Sequence, residues 1–261
     1  MITLNSLLQT SLGPHVQFDE IIALKGDVFR AAHGRKTLRV IHGGNSYFVK
    51  IHTGVGWREI FKNLLLLRLP VLGARNEWLA IQRLEELQIS TLKLAGYGSR
   101  GRNPARLQSF IFTEDLGEII SLEDLCRDWR QTPPPLSLKR ALIGRVALIA
   151  QRLHENGVNH RDFYLCHFVL GTSQPALSAP LTLIDLHRVQ IRHKTPERWI
   201  VKDLAGLYFS AMDIALTRHD ILRFIKIYHG QTLRHIYPAK RSFWKKVENK
   251  AFRLYQKPKK P

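Results

Sequence analysis

Cysteine is scarce in this chain of 261 residues: Cys126 and Cys166 are the whole supply. Two thiols make no disulfide framework, and their spacing is not that of a zinc site, so a reducing compartment is the simpler reading. Long apolar runs are lacking too. The longest, Leu64 to Leu72, is broken by Arg68 and Pro70 and falls well short of the roughly 20 residues that span a bilayer. The start, MITLNSLLQTSLGPHV, has no basic stretch followed by an apolar one, so it does not read as a signal peptide. The expectation is a soluble chain or one that sits on a membrane surface. Internal repeats are missing. Acidic residues are few, 21 against 40 Lys and Arg, giving a formal charge of +19. Such a field draws polyanions of several kinds, including nucleotides, nucleic acid, anionic membranes and acidic proteins, without choosing among them.

What is present is enough for one large core or two lobes sharing a cleft, since 44% of the residues are hydrophobic. The first part reads as strands. TLRVIHGGNSYFVKIH holds two β-rich runs around Gly43-Gly44-Asn45, and GDVFRAAH precedes them across a turn at His33-Gly34-Arg35. Trp78, Ile81, Leu84 and Leu87 then recur every three residues, a helical stripe. Two more β-like runs, TLKLAGYG and SFIFTEDL, flank the turn-rich SRGRNPAR. SLEDLCRDWR reads as a helix capped by Ser121. After Pro133-Pro134-Pro135, Leu138, Leu142, Val146, Ile149 and Leu153 mark a long helix that Gly157 ends. A motif-rich loop, the short strand LTLID and further helices follow, with a basic tail KPKKP. Strands, helix, strands, then mainly helices describe an α+β chain of two lobes. The first, residues 1–116, is small and β-rich; the second, residues 117–261, is mainly helical.

Three motifs carry chemistry. NHRDFYLCHFVL, residues 159 to 170, contains His160-Arg161-Asp162, which resembles the HRD catalytic loop of protein kinases. There the Asp receives or orients the acceptor hydroxyl proton, so Asp162 is the expected catalytic base. The metal-binding Asn of that loop lies five residues on; here the position holds His167, a softer donor than magnesium prefers, kept as a second metal-site candidate. LTLIDLHR puts Asp185 at a strand end where the DFG motif would fall, a place for magnesium, although the triplet is Asp185-Leu186-His187. YFVKI centres Lys50 in an apolar strand, where it needs a partner. That Lys suits the α- and β-phosphates of ATP, with Glu77 as preferred partner and Glu59 as rival. The interlobe hinge is expected at Thr113 to Leu116, with the backbone of Glu114 and Leu116 facing adenine. Asp203 suits the bracing of the catalytic-loop backbone. No G-x-G-x-x-G loop is present, only Gly34 between the first strands. Singly each motif is more often structural; in this order and on these elements they describe a kinase-like site.

Taken together, YFVKIHTGVGWREIFKNLLLLRLPVLGARNEW, VNHRDFYLCHF and LIDLHR resemble the lipopolysaccharide core heptose kinases, specifically those acting on heptose I. The resemblance runs roughly from Gly26 to Gly230. It implies a protein-kinase-like fold, with ATP and Mg2+ used to phosphorylate a hydroxyl of the first heptose of the inner core. It also implies work at the cytoplasmic face of the inner membrane, with Asp162 as base, Lys50 on phosphates and Asp185 on the metal. Two features independent of the resemblance favour a non-protein acceptor. Tyr164 stands where protein Ser/Thr kinases carry a Lys, and no A-P-E motif follows Asp185. Expected partners are the anionic inner-core acceptor and an anionic leaflet, held by basic residues such as Arg218, Lys226, Arg241 and Lys245, or an acidic protein such as acyl carrier protein. The rivals are a protein (tyrosine) kinase and a non-catalytic kinase-like module binding an acidic partner. Nucleic acid ranks low, because neither an aromatic-basic RNA motif nor a DNA-reading helix is present.

Overall fold

The computed structural model describes residues 2–32, 34–65 and 71–257. Position 33 of the first turn, positions 66–70 of the apolar run and the tail from 258 lie outside these. By contacts the chain divides into two compact units. The first runs to Arg83 and resumes over Leu92–Leu116; the second comprises Leu84–Thr91 and everything from Gly117.

The first unit is built on a six-stranded sheet. Its strands are β1 (Ile2–Leu4), β2 (Asp27–Ala32), β3 (Arg35–His42), β4 (Asn45–His52), β5 (Leu94–Arg100) and β6 (Gln108–Glu114), in the order β1-β5-β6-β4-β3-β2. All neighbours are antiparallel. The β3–β4 hairpin closes on Gly43 and Gly44, both at positive φ, the backbone that a two-residue turn demands and glycine supplies. Alternation sends Leu38, Val40, Tyr47, Val49 and Ile51 into a core shared with Phe110 and Phe112. Two short helices, α1 (Ser6–Leu12) and α2 (Phe18–Ile22), cover that core with Leu8, Phe18 and Ile21. This departs from the reading of the chain's first part as strands. The Asn5 side chain caps α1 by accepting the Leu8 N–H at 2.9 Å, and the Glu20 carboxylate accepts the Gln17 N–H at 2.9 Å at the start of α2. Helices α3 (Gly56–Leu65) and α4 (Arg75–Glu86) follow β4. Trp78 of α4 stacks on Tyr97 of β5 with ring centroids 4.6 Å apart.

The second unit opens with β7 (Ile119–Ser121) and α5 (Leu122–Leu125). Ser121 caps α5 as its sequence suggested, accepting the Asp124 N–H at 3.0 Å. The helix lasts one turn rather than the length of SLEDLCRDWR, because three-residue hydrogen bonds from Arg127 and Trp129 tighten the chain and bury Cys126 and Trp129. Helix α6 (Leu136–Glu155) then leads to β8 (Val158–Asn159), β9 (Phe168–Gly171), β10 (Thr182–Leu183) and β11 (Gln190–Ile191). These form two small sheets, β10-β9-β7 and β11-β8. Helices α7 (Glu197–Ser210), α8 (Arg218–His229) and α9 (Leu233–Tyr255) complete the unit. Gly157, at φ 78°, carries the chain from α6 into β8. A Cβ there would lie 1.7 Å from the Arg192 carbonyl, so the approach of the two strands requires glycine. Helices α6 to α9 border an open, mainly apolar cavity of about 1050 Å³, lined by Leu142, Val146, Leu207, Ile225, Trp244 and Val247 among others. The buried Lys139–Asp220 ion pair, 2.7 Å long, stands in its wall. The α+β class, with a β-rich first part and a helical second, is the one expected.

Candidate active site

Lys50 sits in β4 between Val49 and Ile51, which point to the opposite face and bury there. Its ammonium meets Glu77 Oε1 at 2.6 Å. Glu77 lies in the first turn of α4 and is only 2% exposed. A carboxylate so desolvated requires a cation, and Lys50 is that cation. The rival Glu59 instead lies 3.6 Å from Lys62 and accepts from Asn63 at 2.9 Å. At the end of β6 the Glu114 N–H already donates to the Lys93 carbonyl at 2.9 Å, and its carboxylate lies 3.6 Å from Lys93 Nζ. The next residue, Asp115, is tied to Ser46 and Arg39, which fixes the strand end leading to Leu116.

The HRD loop follows β8. Asp203, buried in α7, accepts the His160 N–H at 2.6 Å and the Arg161 N–H at 2.9 Å, one on each oxygen. This lets Arg161 hold φ 75°, a backbone that costs energy in a non-glycine residue. His160 is fully buried, and its Nε2 meets the Ile184 carbonyl at 3.0 Å. Burial holds its pKa below the usual histidine value, against the opposing pull of Asp203. The ring is therefore neutral and Nε2–H is the donor. The Asp162 carboxylate receives Arg188 Nη1 at 2.8 Å. The Asp162 carbonyl receives His167 Nδ1 at 2.6 Å. On its other side His167 Nε2 lies 3.4 Å from Asp185 Oδ2, and His187 Nδ1 is hydrogen-bonded to Asp185 Oδ1. Asp185 itself is left-handed, at φ 62°.

Asp162, His167 and Asp185 thus come together within the second unit. Burial alone would lower the His167 pKa, but hydrogen bonds with Cys166 and the Asp162 carbonyl, and the nearby Asp185 charge, raise it to about 9. The ring of His167 bridges the Asp162 loop to Asp185. The oxygens of Asp185 are the donors a magnesium ion prefers. Sequence reasoning missed Arg188, although it lies three residues beyond Asp185 in the segment already singled out. It also missed a group of cations drawn from the HRD loop, the segment just after β11 and α7. Arg161, Arg192, Arg198 and Lys202 each place their charge 5.5 to 5.8 Å from the Trp199 ring centroid.

A sequence profile of the lipopolysaccharide kinase (Kdo/WaaP) family matches residues 19–228. A Pseudomonas aeruginosa protein named lipopolysaccharide core heptose(I) kinase WaaP is 51% identical over 242 residues, covering 92% of this chain and 90% of its own length. The protein of the same name from Escherichia coli K12 is 47% identical over 259 residues, covering 98% of each. A solved structure described as WaaP in complex with acyl carrier protein superimposes with a TM-score of 0.84 at 44% identity, covering 98% of this chain and 100% of that one. With two thirds or more of both chains covered at such identity, this protein belongs to the lipopolysaccharide kinase (Kdo/WaaP) family.

Proposed function

We propose that this kinase transfers the γ-phosphate of ATP to a hydroxyl of the first heptose of the lipopolysaccharide inner core. The observation that carries the reading is Asp162. It is a half-buried carboxylate, oriented by Arg188 through its side chain and by His167 through its carbonyl, in a chain about half identical to named heptose(I) kinases. Asp162 takes the proton of the attacking hydroxyl. The hydroxyl oxygen forms its bond to the γ-phosphorus as the bond to the leaving β-phosphate oxygen breaks, giving phosphoheptose and ADP. Lys50, held by Glu77, offsets negative charge on the nucleotide phosphates. The backbone carbonyl of Glu114 and the N–H of Leu116 hold adenine. Asp185 would hold Mg2+, which would neutralise phosphate charge. Arg188 fixes the orientation of the base, and Asp203 fixes the loop that carries it.

The acceptor is anionic and membrane-embedded, so the working place is the cytoplasmic face of the inner membrane, where a charge of +19 favours an anionic leaflet. An acyl carrier protein is the proposed protein partner. The related structure was solved with one, and the apolar cavity among α6 to α9 has room for an acyl chain.

The test is mass spectrometry of dephosphorylated inner-core lipopolysaccharide incubated with ATP, magnesium and either wild type or Asp162→Asn. Wild type adds one phosphate, and the variant is slower by about 10³-fold or more with an unchanged melting profile. Equal turnover by the variant removes Asp162 from the role of base. Phosphate recovered on the protein and never on glycolipid favours a protein kinase instead.

A further inference from the structure

We propose that Arg161, Arg192, Arg198 and Lys202, gathered around Trp199 beside the catalytic carboxylate, form a subsite for an oxyanion carried by the acceptor. The inference rests on the kinase reading above and names the part of the acceptor that this site recognises.

The gathering is unusual in its charge. Four cations share one indole ring, at 5.5, 5.8, 5.5 and 5.7 Å from its centroid. One ring face attracts a cation weakly and cannot offset four. Carboxylates close by are already engaged: Asp203 by two backbone N–H groups, Asp162 by Arg188. Arg192 is fixed by neutral amide oxygens, Asn159 Oδ1 at 2.6 Å and Gln190 Oε1 at 2.5 Å, which aim its fork without balancing its charge. No salt bridge joins Arg161, Arg198 or Lys202 to an acidic group among the described residues. The cations also repel one another: burial and then the neighbouring charge of Arg161 and Arg188 press Lys202 towards losing its proton. Arg161 Nε and Trp199 Nε1 are buried donors with no hydrogen-bond partner among the described residues. Unpaired buried donors and mutually repelling cations cost stability, which an anionic ligand returns.

Position selects the acceptor as the bearer. Arg161 adjoins Asp162 in the loop, and Lys202 feels the charge of Asp162, so the subsite is continuous with the base. An oxyanion here stands on the sugar residue next to the reacting hydroxyl. Guanidinium forks pair with both oxygens of a carboxylate or with a phosphate. The shared chemistry is therefore a carboxylate or phosphate on the saccharide.

The experiment measures steady-state constants of the full chain and of an Arg198→Gln/Lys202→Gln variant. Each is given inner-core lipopolysaccharide that lacks only the phosphate of the first heptose and is otherwise intact, or that is in addition carboxyl-reduced or dephosphorylated elsewhere. The variant is expected to raise KM for the intact acceptor about tenfold, with kcat and KM for ATP within about threefold of wild type. Carboxyl reduction that raises KM for wild type and not further for the variant identifies a carboxylate. The same non-additivity with the dephosphorylated acceptor identifies a phosphate. A KM equal to wild type on every acceptor overturns the proposal. Should wild type transfer no phosphate to any acceptor, the kinase reading falls. Calorimetric titration of the intact saccharide then decides the subsite: weaker binding by the variant upholds it, and equal binding overturns it.

Discussion

Asp203 shows how one side chain holds a reactive loop. Its carboxylate is buried and takes two backbone N–H donors, from His160 and Arg161. Asp203→Ala orphans both donors and is expected to cost about 3 kcal/mol in urea unfolding, with turnover falling further because the Asp162 loop loses its brace. Lys50 is the second case. Lys50→Met leaves Glu77 buried without its cation, at a cost of about 3 kcal/mol, and slows transfer by about 10²-fold or more. A Lys50→Met/Glu77→Leu double variant is expected to recover stability and not turnover, which separates the two roles. His160 gives the pH dependence. Burial keeps its folded pKa below the unfolded value near about 6.5, so below that pH the unfolded chain binds more protons and stability falls as pH drops. Thermal melts from about pH 7.5 to 5.5 should show that slope, and it should flatten in His160→Gln.

At the scale of elements, legibility followed the length of the pattern. The five apolar positions of α6 and the stop at Gly157 were plain, as was the Gly43-Gly44 hairpin. Gly157→Ala tests the stop: strain at positive φ plus collision with the Arg192 carbonyl should cost about 2 kcal/mol or more by denaturant melt. Helices α1, α2 and α5 were not legible at their true extent. They span seven, five and four residues, too few for a helical period to stand out, and they exist by caps and by docking. The candidate site divides in the same way. Asp162, Lys50, Asp185 and Asp203 were legible as candidates because each has a fixed place in a motif. Arg188 and the cations around Trp199 belong to no motif. Their convergence depends on the phase of α7, which brings Arg198, Trp199 and Lys202 to one side, and on β11 delivering Arg192 to it. Gly34 is instructive in reverse. Lying between the first two strands of the hairpin and outside any phosphate-loop motif, it meets a tight approach of backbones: a Cβ there would sit 2.2 Å from the Gly54 carbonyl, and Thr53 N–H donates to Gly34 O at 2.8 Å.

For the whole molecule the governing quantity is charge. Among the described residues no helix is long and apolar enough to cross a membrane. The proposed attachment to an anionic leaflet rests on the charge of +19, an electrostatic attraction that salt screens. Sedimentation with vesicles carrying about 30% anionic lipid should show binding at about 50 mM salt that falls by an order of magnitude or more at about 300 mM. Retention at high salt would point to apolar insertion instead. Control of turnover looks different at this scale as well. Asp185 and Arg188 are the two ends of a single short turn, Leu186–Arg188 and its cap. One end carries Asp185, the candidate metal ligand, and the other grips the carboxylate of Asp162, the proposed base. Where larger kinases gate these functions by a long phosphorylatable loop, here both hang from one mount of four residues. A substitution that deforms that mount is therefore expected to disturb the candidate metal ligand and the Asp162 carboxylate together.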